Sequence, residues 1–168
     1  MLKRALVFAM IFMVILSSCS KSPVTGEEIS LTYAKGFSFS ANCDFYGEKL
    51  AAEVNAVPGK IGMKFSSPEV LKGLSVVCEA GETKFTYEGM EAEIDTDKIL
   101  QKSPVREIYE FAESIFLPES FEISESGDEI IVTGNGFCAV LNGKDFSLKS
   151  VAFDNSGNIF NIENFTFM

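Results

Sequence analysis

The sequence predicts a mainly β domain of the α+β type, an antiparallel meander covered by one amphipathic helix. Three observations carry this. Apolar residues alternate with polar ones along most of the chain. Turn residues interrupt that alternation every few residues. One segment alone switches to a helical period. The 168 residues suit a single domain, since domains commonly run roughly 100–150 residues. Hydrophobic residues make up 46% of the chain, enough to bury a core. There is no histidine, which removes imidazole metal ligands, Ser-His and Cys-His nucleophile pairs and an imidazole base. A net charge of −10 argues against nucleic-acid binding, which needs a cationic surface.

The elements begin with an address. Lys3 and Arg4 precede Ala5–Leu16, an apolar run too short to span a bilayer, which takes about 20 residues. Leu16-Ser17-Ser18-Cys19 then resembles the lipobox of bacterial lipoproteins. The resemblance implies that residues 1–18 are a lipoprotein signal peptide and that Cys19 carries the lipid. An ordinary signal peptide with a chance cysteine is the alternative. Losing Lys3 and Arg4 makes the remaining chain more acidic still, so lipid rather than charge would hold it to a membrane. Residues 19–35 then read as the lipidated cysteine and a flexible tether, with Ser20, Lys21, Ser22, Pro23 and Gly26 and no sustained apolar period.

Residues 36–168 form the expected domain. Phe37, Phe39, Ala41, Cys43 and Phe45 share one phase of a strand, and Ser38, Ser40, Asn42 and Asp44 the other. Tyr46-Gly47-Glu48 turns the chain into a second strand through Leu50, Ala52, Val54 and Ala56. Val57-Pro58-Gly59 turns it into a third through Ile61, Met63 and Phe65. Pro68 opens a helical turn that Gly73 closes. Strands resume around Val76 and Cys78, Lys84–Tyr87, and Met90–Ile94, in hairpin order. From Ser103 the period changes. Val105, Ile108, Tyr109, Ala112, Ile115 and Phe116 form one helical stripe, with Ser103 as N-cap, Pro104 at the first position and Pro118 as the stop. Arg106, Glu107, Glu110 and Glu113 fall off the stripe and read as a solvated face. Five more strands follow, with Asn135-Gly136 and Asn142-Gly143 as hairpin signals, for about ten in all.

Cys43, Cys78 and Cys138 occupy strand positions without CxxC or zinc-ligand spacing. They read as small buried hydrophobes, with a Cys43–Cys78 bridge as the alternative. Asp154-Asn155-Ser156-Gly157-Asn158 lacks the spaced ligands of an EF-hand and reads as a turn. No catalytic residue, metal site or cofactor is expected, and the chain is not expected to be an enzyme.

Phe65-Ser66-Ser67-Pro68, a short Leu- and Gly-containing link, Gly81-Glu82 and Tyr87-Glu88-Gly89-Met90, followed by a sheet-covering helix, resemble the LolA/LolB-like family, the bacterial lipoprotein localisation factors and their relatives. The resemblance implies a curved meander sheet forming a half-open barrel. It also implies an extracytoplasmic place in the bacterial cell envelope. Two departures stand out. Family carriers begin with a long helix, whereas Thr25–Lys35 reads as too short and mixed for one. Carriers also use an early arginine near the lid, whereas Arg106 lies on the helix, so that role is not transferred.

On a curled sheet the inward phases would be Phe37, Phe39, Phe45, Ile61, Met63, Phe65, Val76, Phe85 and Met90, faced by Ile108, Ala112 and Ile115 of the helix. These twelve residues are either a packed core or the lining of an acyl-chain cavity. The expected protein is a monomer, held to a membrane by its N-terminal lipid, whose ligand is an acyl chain or a lipidated protein. The alternative is a module that docks an envelope protein and takes no small molecule.

Overall fold

The computed structural model describes residues 23–168. The signal peptide, Cys19 and the first part of the tether lie outside them. Helix α1 (Gly26–Tyr33) comes first. Six strands follow in hairpin order: β1 (Phe37–Phe45), β2 (Glu48–Val57), β3 (Lys60–Ser67), β4 (Ser75–Glu79), β5 (Glu82–Tyr87) and β6 (Met90–Asp95). Helix α2 (Pro104–Ile115) leads to the second run: β7 (Phe121–Ser126), β8 (Glu129–Gly134), β9 (Phe137–Asn142), β10 (Leu148–Phe153) and β11 (Ile159–Phe167).

All eleven strands form one antiparallel sheet in the order β6-β5-β4-β3-β2-β1-β11-β10-β9-β8-β7. The two runs meet at the β1–β11 pair and fan out in opposite directions. The sheet does not close, so β6 and β7 are its edges. This is the expected half-open barrel. The link from β6 to β7 must therefore bridge the two edges, and α2 lies within it. The cover over the open side thus follows from topology as well as from an apolar stripe.

Turn chemistry fixes the hairpins. Tyr46-Gly47, Ala80-Gly81 and Glu88-Gly89 each have positive φ at both residues, and each joins directly paired strand ends. These are type I′ loops, whose twist suits a two-residue hairpin. Where β1 meets β11 the register slips between Ser38 and Ser40, opposite Asn164, which has φ 52°. This bulge returns Phe165 and Phe167 to the same face as Ile162.

The tether reading fails over its second half. Thr25 accepts from the Glu28 amide and caps α1, with Glu27 and Glu28 in the first turn of the helix. Ile29 and Tyr33, four residues apart, are fully buried. Ser30 donates to the Ile115 carbonyl at 3.0 Å, and Tyr33 donates to the Phe146 carbonyl at 2.8 Å. A side chain at residue 26 would meet the Pro118 carbonyl at 2.9 Å, which explains Gly26. Even Val24 is held, its amide donating to Glu125. The domain therefore begins about a dozen residues before the expected boundary at 36.

The second helix begins where expected. Ser103 caps it by accepting from the Arg106 amide, and Pro104 opens it. The helical turn after Pro68 is also present, over Glu69–Leu71. The cysteine alternative is corrected. Cys43, Cys78 and Cys138 are all free, and β2 and β3 separate the strands of Cys43 and Cys78.

Candidate functional site

The inner face of the sheet can be traced residue by residue. Phe37 pairs with Ala56, Ala56 with Ile61, Ile61 with Cys78, Cys78 with Thr83, and Thr83 with Ile94. A parallel row runs Phe39, Val54, Met63, Val76, Phe85 and Ala92. Directly paired residues share a face. All nine strand residues expected to point inward therefore do so, Phe45, Phe65 and Met90 included.

Their surroundings differ along that face. Phe37, Phe39, Ile61, Met63, Phe65 and Val76 are buried, as are Ile108, Ala112 and Ile115 on the helix. Phe45 and Phe85 are half-buried. Met90 is 66% exposed and Ile94 38% exposed, although both share the face of the core. The cover stops short of the β5–β6 wing. An apolar strip of Phe85, Tyr87, Met90 and Ile94 continues outward from the packed core into solvent.

The cover itself is pinned at three points. Phe111 packs edge-to-face on Phe137 at 5.3 Å between centroids and is 1% exposed. Sequence periodicity missed this residue because the stripe was placed through Tyr109 and Phe116. The buried set is instead Val105, Ile108, Phe111, Ala112 and Ile115. At the helix start, Arg106 donates to Glu110 at 2.6 Å, to the Thr96 carbonyl at 3.0 Å and to Asp97 at 3.3 Å. This ties α2 to the short turn that follows β6.

The third point corrects the reading of Glu107 as solvated. Glu107 is 3% exposed. Its Oε2 accepts from Asn158 Nδ2 at 2.9 Å, and its Oε1 has no hydrogen-bond partner among the described residues. Burial pushes its carboxyl above the usual range; Ser156 and Asn158 pull the other way, and Glu110 adds to the rise. Burial, then Glu107 and Asp44, push the Cys43 thiol up to about 11. A thiol held that far toward its neutral form is no nucleophile near neutrality. The Asp154–Asn158 turn thus serves as the far anchor of the helical cover.

Pockets among the described residues include one of about 400 Å³ at the rim, lined by Asn42, Cys43, Asp44, Lys49, Gly157, Ile159 and Asn161. Another of about 400 Å³ lies on the outer face, lined by Lys60, Val77, Glu79, Lys84 and Glu93 among others. Both mix charged and apolar groups. Among the described residues, no three His, Cys, Asp or Glu side chains converge as metal ligands would.

The sequence matches no family model and no curated protein. Solved structures do resemble the fold. An uncharacterized conserved protein from Thermus thermophilus superposes with a TM-score of 0.54 at 11% identity, covering 84% of each chain. A LolA superfamily protein from Nitrosomonas europaea gives a TM-score of 0.45 at 9% identity, covering 87% of this chain and 94% of that one.

Proposed function

We propose that this chain is a lipid-anchored, extracytoplasmic binding protein of the bacterial envelope that takes an acyl chain or a lipidated protein on its inner face. One observation supports it most. The apolar inner face is not sealed. It runs from the buried core through Phe85 to the exposed Met90 and Ile94. A soluble domain has no structural need for such a strip, because polar residues there would cost nothing in packing. The lipobox-like Cys19 supplies the anchor, and the acidic domain would stand off an anionic bilayer. Binding requires no catalytic group in this reading.

Native mass spectrometry on the chain from Ser20 onward, produced in a lipid-containing host, tests it. The expected result is a co-purifying mass that extracts as fatty acid or phospholipid. A ligand-free mass, with no uptake of added lipid, refutes it.

A second reading is favoured by burial. Nine of the twelve candidate residues are buried in the domain's own core, leaving the inner face mostly filled. In that reading the chain docks an envelope protein and carries no small molecule. Crosslinking in the intact envelope tests this, and the absence of any crosslinked protein counts against it.

A further inference from the structure

The two edges of the sheet are treated differently. At β7, Glu125 accepts from the Val24 amide, and Phe121 lies against the start of α1. The domain's own N-terminal segment touches that edge at these two residues, although four of the six β7 residues are exposed. At β6 every residue from Met90 to Asp95 is exposed. Bare edges offer unpaired backbone groups to another strand.

The register says which groups are unpaired. Tyr87 and Met90 flank a two-residue type I′ loop and so exchange both backbone bonds. Hydrogen-bonded and non-hydrogen-bonded pairs then alternate. Met90, Ala92 and Ile94 bond to β5, while the N–H and C=O groups of Glu91 and Glu93 and the N–H of Asp95 point outward from the sheet edge; the Asp95 C=O opens the turn over Thr96–Lys98. The side chains alternate on the same period. Glu91, Glu93 and Asp95 lie on the outer face, with Met90, Ala92 and Ile94 on the inner. Lys84 pairs with Glu91 at 2.8 Å; Glu93 and Asp95 have no salt-bridge partner among the described residues, and Asp95 Oδ1 accepts from the Asp97 amide at 3.0 Å, capping the turn after β6. Pairing with a second copy in the antiparallel sense would set these carboxylates against one another, which is destabilising.

We infer that β6 is a docking edge for an extended segment of another protein in which Lys or Arg alternates with apolar residues. Such a segment would add a twelfth strand. Its basic side chains would face Glu91, Glu93 and Asp95, and its apolar ones would extend the strip at Met90, Ala92 and Ile94. Backbone bonds give the affinity, and the two-sided alternation gives the choice of partner. This site shares Met90 and Ile94 with the proposed lipid strip, but its backbone pairing does not depend on lipid binding there.

The test uses the full chain in detergent and a fluorescent seven-residue peptide alternating Lys with Val. A matched peptide with Glu for Lys and a scrambled Lys/Val peptide serve as controls. Glu93→Pro removes the one outward N–H at the centre of the edge while leaving the bonds to β5, since proline is tolerated where the N–H faces outward. Glu93→Gln removes the charge and keeps the N–H. Anisotropy should show binding of the alternating peptide at least tenfold tighter than either control. Glu93→Pro should lose it at least tenfold, and Glu93→Gln should lose less. Hydrogen exchange on the unmutated chain provides a readout independent of variant folding. The peptide should protect the Glu91, Glu93 and Asp95 amides and leave those of Met90, Ala92 and Ile94 unchanged. Equal binding of the scrambled peptide, unaltered binding by a folded Glu93→Pro, or no selective protection overturns the inference. So does edge protection that rises with protein concentration alone, which would mean self-pairing.

Discussion

Replacing Tyr33 separates a packed α1 from a tether. Its ring is fully buried, 5.1 Å from Phe37 and 5.2 Å from Phe167 between centroids, both edge-on. Its hydroxyl donates to the Phe146 carbonyl at 2.8 Å, and burial keeps the phenol protonated by raising its pKa. Tyr33→Phe deletes only the hydrogen bond, at a cost of about 1 kcal/mol. Tyr33→Ala empties an aromatic site and should cost about 3–5 kcal/mol. For a chain of this size each kcal/mol lowers Tm by roughly 2–4 °C. The expected losses are then about 3 °C for Tyr33→Phe and about 10–15 °C for Tyr33→Ala. Thermal melts followed by circular dichroism on the chain from Ser20 measure both. If both variants melt with the parent, α1 is a tether and the boundary at 36 stands.

Glu107 makes stability depend on pH. Its carboxyl is raised by burial, so the folded state holds the proton more tightly than the unfolded one. Its contribution is fully present below the ordinary carboxylate pKa and is lost as pH rises through the folded value. Glu107→Gln should therefore gain Tm relative to the parent between acid and neutral pH; a constant difference across that range refutes the assignment. Thiol labelling of the native chain near pH 8 should reach Cys138 well before Cys43, because a thiol at about 11 is only about one part in a thousand thiolate there. Equal rates in native and unfolded protein would contradict the burial of Cys43. Arg106→Ala removes three contacts from a side chain only 13% exposed and should cost about 1–2 kcal/mol. Amide exchange should quicken in the first turns of α2, and Arg106→Lys should restore only part of the protection. Met90→Asp should leave Tm nearly unchanged, because the side chain is exposed, and should weaken lipid uptake about tenfold if the β5–β6 strip receives the ligand. Uptake equal to the parent's would remove that strip from the binding reading.

The sheet was legible because each strand has one wet side and one dry side. Period-two alternation then reports the face of every residue, and the Phe37–Phe45 run assigns Phe37, Phe39 and Cys43 correctly from sequence alone. Alternation says nothing about what covers a face. Met63 and Met90 carry the same signal, yet one is 2% exposed and the other 66%, because α2 reaches the first and stops short of the second. The first helix was illegible for a related reason. Only Ile29 and Tyr33 carry its apolar contact, and two residues four apart are no pattern against a background of Gly, Glu, Ser and Thr. Its stability comes from the pocket beneath it, which is assembled from β1, β11 and the end of α2. Glu107 was misplaced because a carboxylate beside a helical stripe normally faces water; only the Asp154–Asn158 turn, folding back from the far end of the chain, encloses it.

The filled inner face and the proposed ligand compete for the same surface. An acyl chain of about 16 carbons gains roughly 12 kcal/mol on full burial at about 0.8 kcal/mol per CH₂. Lifting α2 to admit it would expose Val105, Ile108, Phe111 and Ile115, at roughly 1.5–3 kcal/mol each, so about 6–12 kcal/mol in all before their partners on the sheet are counted. Displacing the whole helix therefore costs at least as much as the chain gains. A ligand that had to displace the whole helix would bind weakly. One that begins on Phe85, Met90 and Ile94 gains burial before any contact of α2 is lost. On the proposed reading the uncovered wing is where entry would cost least, and the Arg106 contacts to Glu110, the Thr96 carbonyl and Asp97 hold the adjacent end of α2.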